Sequence, residues 1–321
     1  MAMHAPWLDA AWHDWQTRLK NNTFSHATLV HSQQDLGIYS LAEQFGQALM
    51  CTTSDSEPCG FCHGCSLMQS GNHPDYHVVR PEKEGKSITV EQIRACNRWA
   101  QASSQMSGYR LIIIEPADAM NESAANALLK TLEEPSSHCV FVLLTQHINH
   151  LLPTIISRCQ VLAIAEPTAQ VISQWLEQQI QQPIPDYAAH LNGNSPLQTQ
   201  SFIESKGIEE YANIEAAFLR AANGDISAAT ECTRLLTASP RERLQWLWFL
   251  ISDAQKVHFG IKQRECVPGA TQLAEVLSYE RLYRCGQDII KLNEQLREFT
   301  GLNSELLIMD WLMNINEDTC L

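Results

Sequence analysis

The chain has 321 residues, enough for two or three domains that each bury a core of their own. Its 22 Lys+Arg against 36 Asp+Glu give a formal net charge of −14, which excludes a protein that coats nucleic acid through bulk electrostatics. No stretch reaches the roughly 18 to 20 consecutive apolar residues of a membrane span, and MAMHAPWLDAAWHDW has no basic region followed by an apolar core, so a cytoplasmic location without membrane contact is expected.

The first clear element is HATLV (26–30), a short buried strand, followed by a polar turn and the amphipathic helix IYSLAEQFGQAL. This is the layout of a phosphate-binding loop with its chemistry removed. A working loop has several glycines, then Lys for the β/γ-phosphates and Ser or Thr for Mg²⁺. Here the turn holds only Gly37, Ile38-Tyr39-Ser40 stand in the place of Lys-Thr, and no Lys occurs between residues 21 and 82. The loop around Gly37 is therefore degenerate, and no ATP is expected in it.

CTTSDSEPCGFCHGC comes next and gathers four of the eleven cysteines, Cys51, Cys59, Cys62 and Cys65. Three cysteines at x2 spacing are a strong metal signature, because tetrahedral Zn²⁺ wants four thiolate or imidazole ligands brought together by tight turns, which Gly60 and Gly64 supply. Cys51 is favoured as the fourth ligand, with His63 and His73 as competitors. Four protein ligands close a site to substrate, so the zinc would be structural, and a redox dithiol would leave the extra cysteines unexplained. A DNA-binding role for this module is disfavoured, since residues 51–72 contain no Lys or Arg. The other seven cysteines stand alone and are read as core or surface residues.

Four further strands follow: DYHVV (75–79), YRLIIIE (109–115), CVFVLLT (139–145) and QVLAI (160–164). Their continuous apolar runs suit parallel strands covered on both faces, so the first half is expected to be a three-layered α/β domain. The strand LIIIE ends in Glu115 and then Pro116, where hydrolases of the P-loop class carry a Mg²⁺-binding Asp followed by a catalytic Glu. Proline offers no base, and Asp118 is read as a turn or capping residue. NESAANALLKTLEEP predicts a helix capped by Asn121 and stopped by Pro135, with Ala125, Leu128, Leu129 and Leu132 facing the core and no catalytic group visible. TQHINHLLPTIISRCQV places Arg158 just before the fifth strand, where an isolated arginine is by default merely solvated.

After EPTAQ (166–170) the strand signals stop. VISQWLEQQI, a break at LNGNSP (191–196), and several longer helices beyond residue 206 follow. The clearest is SPRERLQWLWFLISDAQKVHFG, with Ser239 as N-cap, Pro240 at the first position, Glu242 completing a capping box, and Gly260 past the end. Its apolar face of Leu244, Leu247, Trp248 and Ile251 predicts a helical-bundle core.

ANALLKTLEEP, a strand, and then LLPTIISRC resemble the clamp-loader branch of the AAA+ proteins, and the inserted four-cysteine module is similar to that of its bacterial members. The resemblance is specific over about residues 20 to 165. It implies a P-loop-like AAA+ domain at 1–165 with a zinc module at about 51–72, a small helical lid at 166–205 and an all-α oligomerisation collar at 206–321. It also implies that Arg158, flanked by Ser157 and Cys159, is an arginine finger acting in trans on a neighbour's ATP. The lost loop, Pro116, and the absence of arginine in GNSPLQTQ (193–200), where active relatives commonly carry one, imply a stator-like subunit that does not hydrolyse ATP. Such a subunit has no catalysis of its own within a DNA-directed DNA polymerase holoenzyme. Its implied partners are ATPase subunits of the tau/gamma type and the clamp-opening delta subunit, and through the assembly the sliding clamp and primed DNA. The alternative is a divergent ATPase of the same class with its own weak nucleotide site.

Overall fold

A computed structural model describes residues 5–32, 36–83, 85–106, 108–134, 136, 138–261, 265–299 and 301–315. Two compact units divide the chain, residues 1–166 and 167–321. The helix stop expected at Pro135 lies outside the described residues.

In the first unit the strands are β1 (Ala27–His31), β2 (Tyr76–Val79), β3 (Arg110–Ile114), β4 (Cys139–Thr145) and β5 (Gln160–Ala163). They pair in parallel throughout, in the order β2-β3-β4-β1-β5. The helices are α1 (Asp9–Lys20), α2 (Ile38–Leu49), α3 (His63–Gln69), α4 (Val90–Gln101), α5 (Glu122–Glu133) and α6 (Pro153–Ile156).

Every residue of β3 and β4 is buried, which is why their sequences show no polar alternation. The period of two sorts their side chains between layers. Val30, Leu111, Ile113, Val140 and Val142 pack with Trp15, Leu41 and Phe45 of α1 and α2. Leu29, Ile112, Ile114, Phe141 and Leu143 pack with Ile93, Cys96, Leu128 and Leu132 of α4 and α5. Asn121 caps α5 as expected, its side chain accepting from the Ala124 amide at 2.8 Å. At the edge, β5 pairs only with β1 and leaves Gln160, Val161 and Ala163 exposed, unlike the covered strand its composition suggested.

A buried ion pair joins the start of β3 to the turn before β2. Arg110 Nη2 and Nε lie 2.6 and 3.1 Å from Asp75 Oδ1, and the same carboxylate accepts from the Gln105 and Met106 amides at 2.9 Å. The remaining guanidinium N–H groups donate to the Trp99, Ala102 and Ser103 carbonyls. Burial alone would raise the Asp75 carboxyl, but those two amides and Arg110 outweigh it and hold it below the ordinary carboxylate range.

The second unit contains nine helices among its described residues: α7 (Ala169–Ile180), α8 (Asp186–Leu191), α9 (Pro196–Glu204), α10 (Gly207–Ala222), α11 (Ile226–Thr237), α12 (Pro240–His258), α13 (Ala270–Val276), α14 (Tyr279–Glu298) and α15 (Ser304–Asn314). Leu244, Leu247 and Ile251 of α12 are buried as expected, together with Trp246 and Leu250, while Trp248 is half-buried. The capping box does not form. Ser239 sits at φ −146°, ψ 74° and makes no side-chain cap, and α12 starts instead on Pro240 and the Arg243 N–H to Ser239 carbonyl bond of 3.0 Å. Asp253, fully buried on α12, accepts from His190 Nε2 of α8 (3.1 Å), Lys256 Nζ (2.8 Å) and the Val267 amide (3.1 Å). Against the opposing effect of burial, His190 and Lys256 hold its carboxyl below the usual range.

Asp75→Ala leaves Arg110 a buried, uncompensated charge and is expected to cost about 3 to 5 kcal/mol, measured by denaturant unfolding. Because Asp75 and Asp253 have depressed folded pKa values, their stabilisation is complete above the unfolded carboxylate value of about 3.9. It is lost as pH falls through the lower folded values, so acid unfolding followed by circular dichroism should set in below about pH 4.

Candidate functional site

The cysteine module is built on the end of α2. Cys51 follows that helix with its amide on the Ala48 carbonyl, and Cys62 caps α3, accepting from the Cys65 amide at 3.4 Å. The Cys62 amide points at Cys59 Sγ (3.4 Å) and the Cys59 amide at Cys51 Sγ (3.5 Å). All four Sγ atoms lie within 4.8 Å of one another, and the Cys51–Cys62 and Cys59–Cys65 separations are 3.9 Å. Thiolates at about 2.3 Å from a tetrahedral Zn²⁺ stand about 3.8 Å apart, so this cluster is compatible with a zinc site.

Neither histidine competitor joins the cluster. His63 is exposed at the start of α3, and His73 Nδ1 accepts from the Asp75 amide at 3.2 Å. Gly60 supplies a turn with φ +81°, but Gly64 does something else. It lies inside α3, where a Cβ would run into the Met50 carbonyl oxygen, so glycine lets the cysteine helix sit against the end of α2. The thiols are electrically unequal. The hydroxyl and backbone of Thr52 and the Cys65 amide bring Cys62 down to about 5, while burial pushes Cys65 up to about 12. Of the isolated cysteines, Cys96, Cys139, Cys232 and Cys285 are buried core residues, with burial pushing each up to about 12, while Cys159 and Cys266 are half-buried. Cys320 lies outside the described residues.

A second set of groups gathers where the parallel strands end, the edge at which open α/β sheets bind ligands. Gly37 holds φ +76° as the cap of α2, and Trp7 Nε1 donates to the Leu36 carbonyl at 2.8 Å. Gln33–Asp35 of the loop lie outside the described residues. Glu115, one residue beyond β3, accepts from Arg80 through Nε at 3.0 Å and Nη2 at 2.8 Å. The same guanidinium stacks over the ring of Tyr39, in the first turn of α2, 4.4 Å from its centroid. Arg80 therefore bridges the two positions at which a working nucleotide site holds Lys-Thr and the metal-binding carboxylate. A search for lysine alone misses it. The readable signal was an arginine directly after β2, which the register of Val79 with Ile114 brings beside Glu115. Asp118 accepts from Thr145 Oγ1 at 2.6 Å, tying the turn after β3 to the end of β4.

Arg158 stands at the opposite edge. It lies between α6 and the first residue of β5, hence at the amino-terminal side of a parallel sheet, with the seven residues of β4 spanning roughly 20 Å to the other side. Its Nε donates to Glu133 Oε1 at 2.8 Å, Nη2 donates to the same oxygen, and Nη1 donates to the Thr154 carbonyl at 2.9 Å. The side chain is about one-third exposed (32%). Burial raises the neighbouring Cys159 thiol to about 11, which makes it a poor nucleophile. The structure thus joins the four cysteines to one another and Gly37 to the Tyr39, Arg80 and Glu115 edge, and it keeps Arg158 apart from that edge.

Two family models match the chain, one described as DNA polymerase III, delta subunit, over residues 7–168, and one as the C-terminal part of that subunit over residues 205–317. DNA polymerase III subunit delta' of Haemophilus influenzae is 30% identical, covering 97% of this chain and 96% of its own length. That of Escherichia coli is 32% identical over 97% of this chain and 94% of its own. The Pseudomonas aeruginosa protein of the same name is 37% identical over 65% of this chain and 64% of its own. With a parallel sheet in the order β2-β3-β4-β1-β5, a four-cysteine insertion and an all-helical second unit, the chain belongs to the DNA polymerase III subunit delta' family of clamp-loader components.

Proposed function

We propose that this chain is the non-hydrolysing, stator-like subunit of a clamp loader, assembling with tau/gamma-type ATPase subunits and the clamp-opening delta subunit to load a sliding clamp on primed DNA. The observation that carries this reading is the Arg80–Glu115 pair. A guanidinium bonded to the strand-end carboxylate and stacked on Tyr39 supplies positive charge where Mg²⁺ and a loop lysine would act, so Glu115 has no call for a divalent cation. This disfavours the divergent-ATPase alternative.

Arg158 is the residue we assign to a neighbour's ATP. Its place at the amino-terminal edge of the sheet turns it away from this chain's own degenerate loop, which supports action in trans. A guanidinium keeps its charge at any working pH and offers two parallel N–H donors to phosphate oxygens, stabilising charge as the γ-phosphoryl departs. Residues 166–205 would form the lid and 206–321 the collar that joins the ring. No helix of the described residues is long and apolar enough to cross a membrane, and we place the assembly in the cytoplasm.

Arg158→Ala is expected to leave assembly with the ATPase subunits intact on size exclusion. Single-turnover hydrolysis at the site it completes should fall by about 10³-fold. Unchanged hydrolysis would remove the finger assignment, and stoichiometric micromolar ATP binding by the isolated chain would favour the divergent ATPase.

The four cysteines would hold one structural Zn²⁺ and, with no open position, give it no catalytic role. Metal analysis should find about one zinc per chain, lost in Cys51→Ser and Cys59→Ser and kept in His73→Ala. Zinc retained in Cys51→Ser and lost in His73→Ala would assign the fourth ligand to histidine.

A further inference from the structure

We infer that Glu133 is a positioning residue for Arg158, fixing the guanidinium so that one edge faces outward toward a phosphate; the inference rests on the reading of Arg158 as a finger. Glu133 is the last residue of α5, where the partial negative charge of the helix end disfavours a carboxylate. Helix stability therefore gives no reason for an acid there. Its contact is tertiary instead, with an arginine 25 positions further along the chain.

The geometry divides the five guanidinium N–H groups into two sets. The Nε and Nη2 side is committed to Glu133 Oε1, and Nη1 donates to the Thr154 carbonyl at 2.9 Å and to Ser157 Oγ at 3.5 Å. What remains is the second N–H of Nη2, with beside it the Nη1 nitrogen, whose bond to Ser157 Oγ is long at 3.5 Å and easily exchanged; together they make up the end-on edge that meets two phosphate oxygens at once. A freely rotating arginine would have to be ordered at the moment of reaction, whereas this one is ordered beforehand. Both side chains stay partly exposed, 32% for Arg158 and 48% for Glu133, so the pair is reachable by a neighbouring subunit and adds little to folding stability.

The test is a double-mutant cycle in the assembled complex, reading kcat and KM for ATP. Glu133→Ala should lower kcat about fivefold with KM, assembly and melting temperature unchanged. Glu133→Gln, whose amide oxygen still accepts from Nε, should recover most of the loss. The double variant with Arg158→Ala should be no slower than Arg158→Ala alone. Losses that multiply, a Glu133→Ala kcat equal to wild type, or one above it because the carboxylate competes with phosphate, would each overturn the assignment. If Arg158→Ala itself changes nothing, the finger reading fails first and takes this one with it, a result distinct from a failed cycle around a working finger.

Discussion

Five strands running in one direction are the constraint from which the rest of this molecule follows. Parallel pairing cannot be made by hairpins, so each strand must be regained through a crossover, and the crossovers cover both faces of the sheet. Covered faces demand apolar side chains at both phases of the strand, which is what β3 and β4 contain. The same directionality sorts polar groups to two rims. Gly37, Tyr39, Arg80, Glu115 and Thr145 belong to the carboxyl-terminal rim, while Glu133 and Arg158 belong to the amino-terminal one. The Arg80–Glu115 pair thus lies on one rim and the Arg158–Glu133 pair on the other, which is the separation that the proposed action of Arg158 on a neighbouring subunit requires.

The cysteine module illustrates a different constraint. It hangs between α2 and β2, and its only helix is seven residues long, too short to bury a core. Sulfur-directed amides and the close approach at Gly64 draw four thiols into a cage whose spacing matches a tetrahedral ion. Thiols left in that cage would be at odds with one another, Cys62 favouring the anion and Cys65 the neutral form. A bound dication would remove the conflict, since it would favour the deprotonated form at all four positions.

What could be read from the sequence, and what could not, follows the range of the interactions involved. β4 was legible to the residue because its seven apolar side chains are a local signal, and Asn121 was legible because capping acts over three residues. The CxxCxxC core declared itself by spacing, but Cys51 and His73 stood equally near it until folding turned His73 toward the Asp75 amide. Ser239 carried the letters of a capping box without the backbone angles, which its surroundings set. Arg80 and Glu115 lie 35 residues apart, Glu133 and Arg158 lie 25 apart, and Asp75 and Arg110 lie 35 apart. No pattern of periods or caps reaches that far, so the helix holding Glu133 looked like core packing alone.

Many of the arginines of this acidic chain are engaged within it. Arg18, Arg80, Arg110, Arg158, Arg220 and Arg243 are each bonded to a carboxylate of the same chain. With a formal net charge of −14, the chain as a whole does not attract a duplex through bulk electrostatics. Arginine suits position 158 for the same reason that it suits the internal pairs. Lysine presents one point charge, and a carboxylate beside it would compete directly with a phosphate. A guanidinium has two distinct edges, so an arginine acting as the proposed finger would remain bonded to Glu133 on one and meet a phosphate with the other.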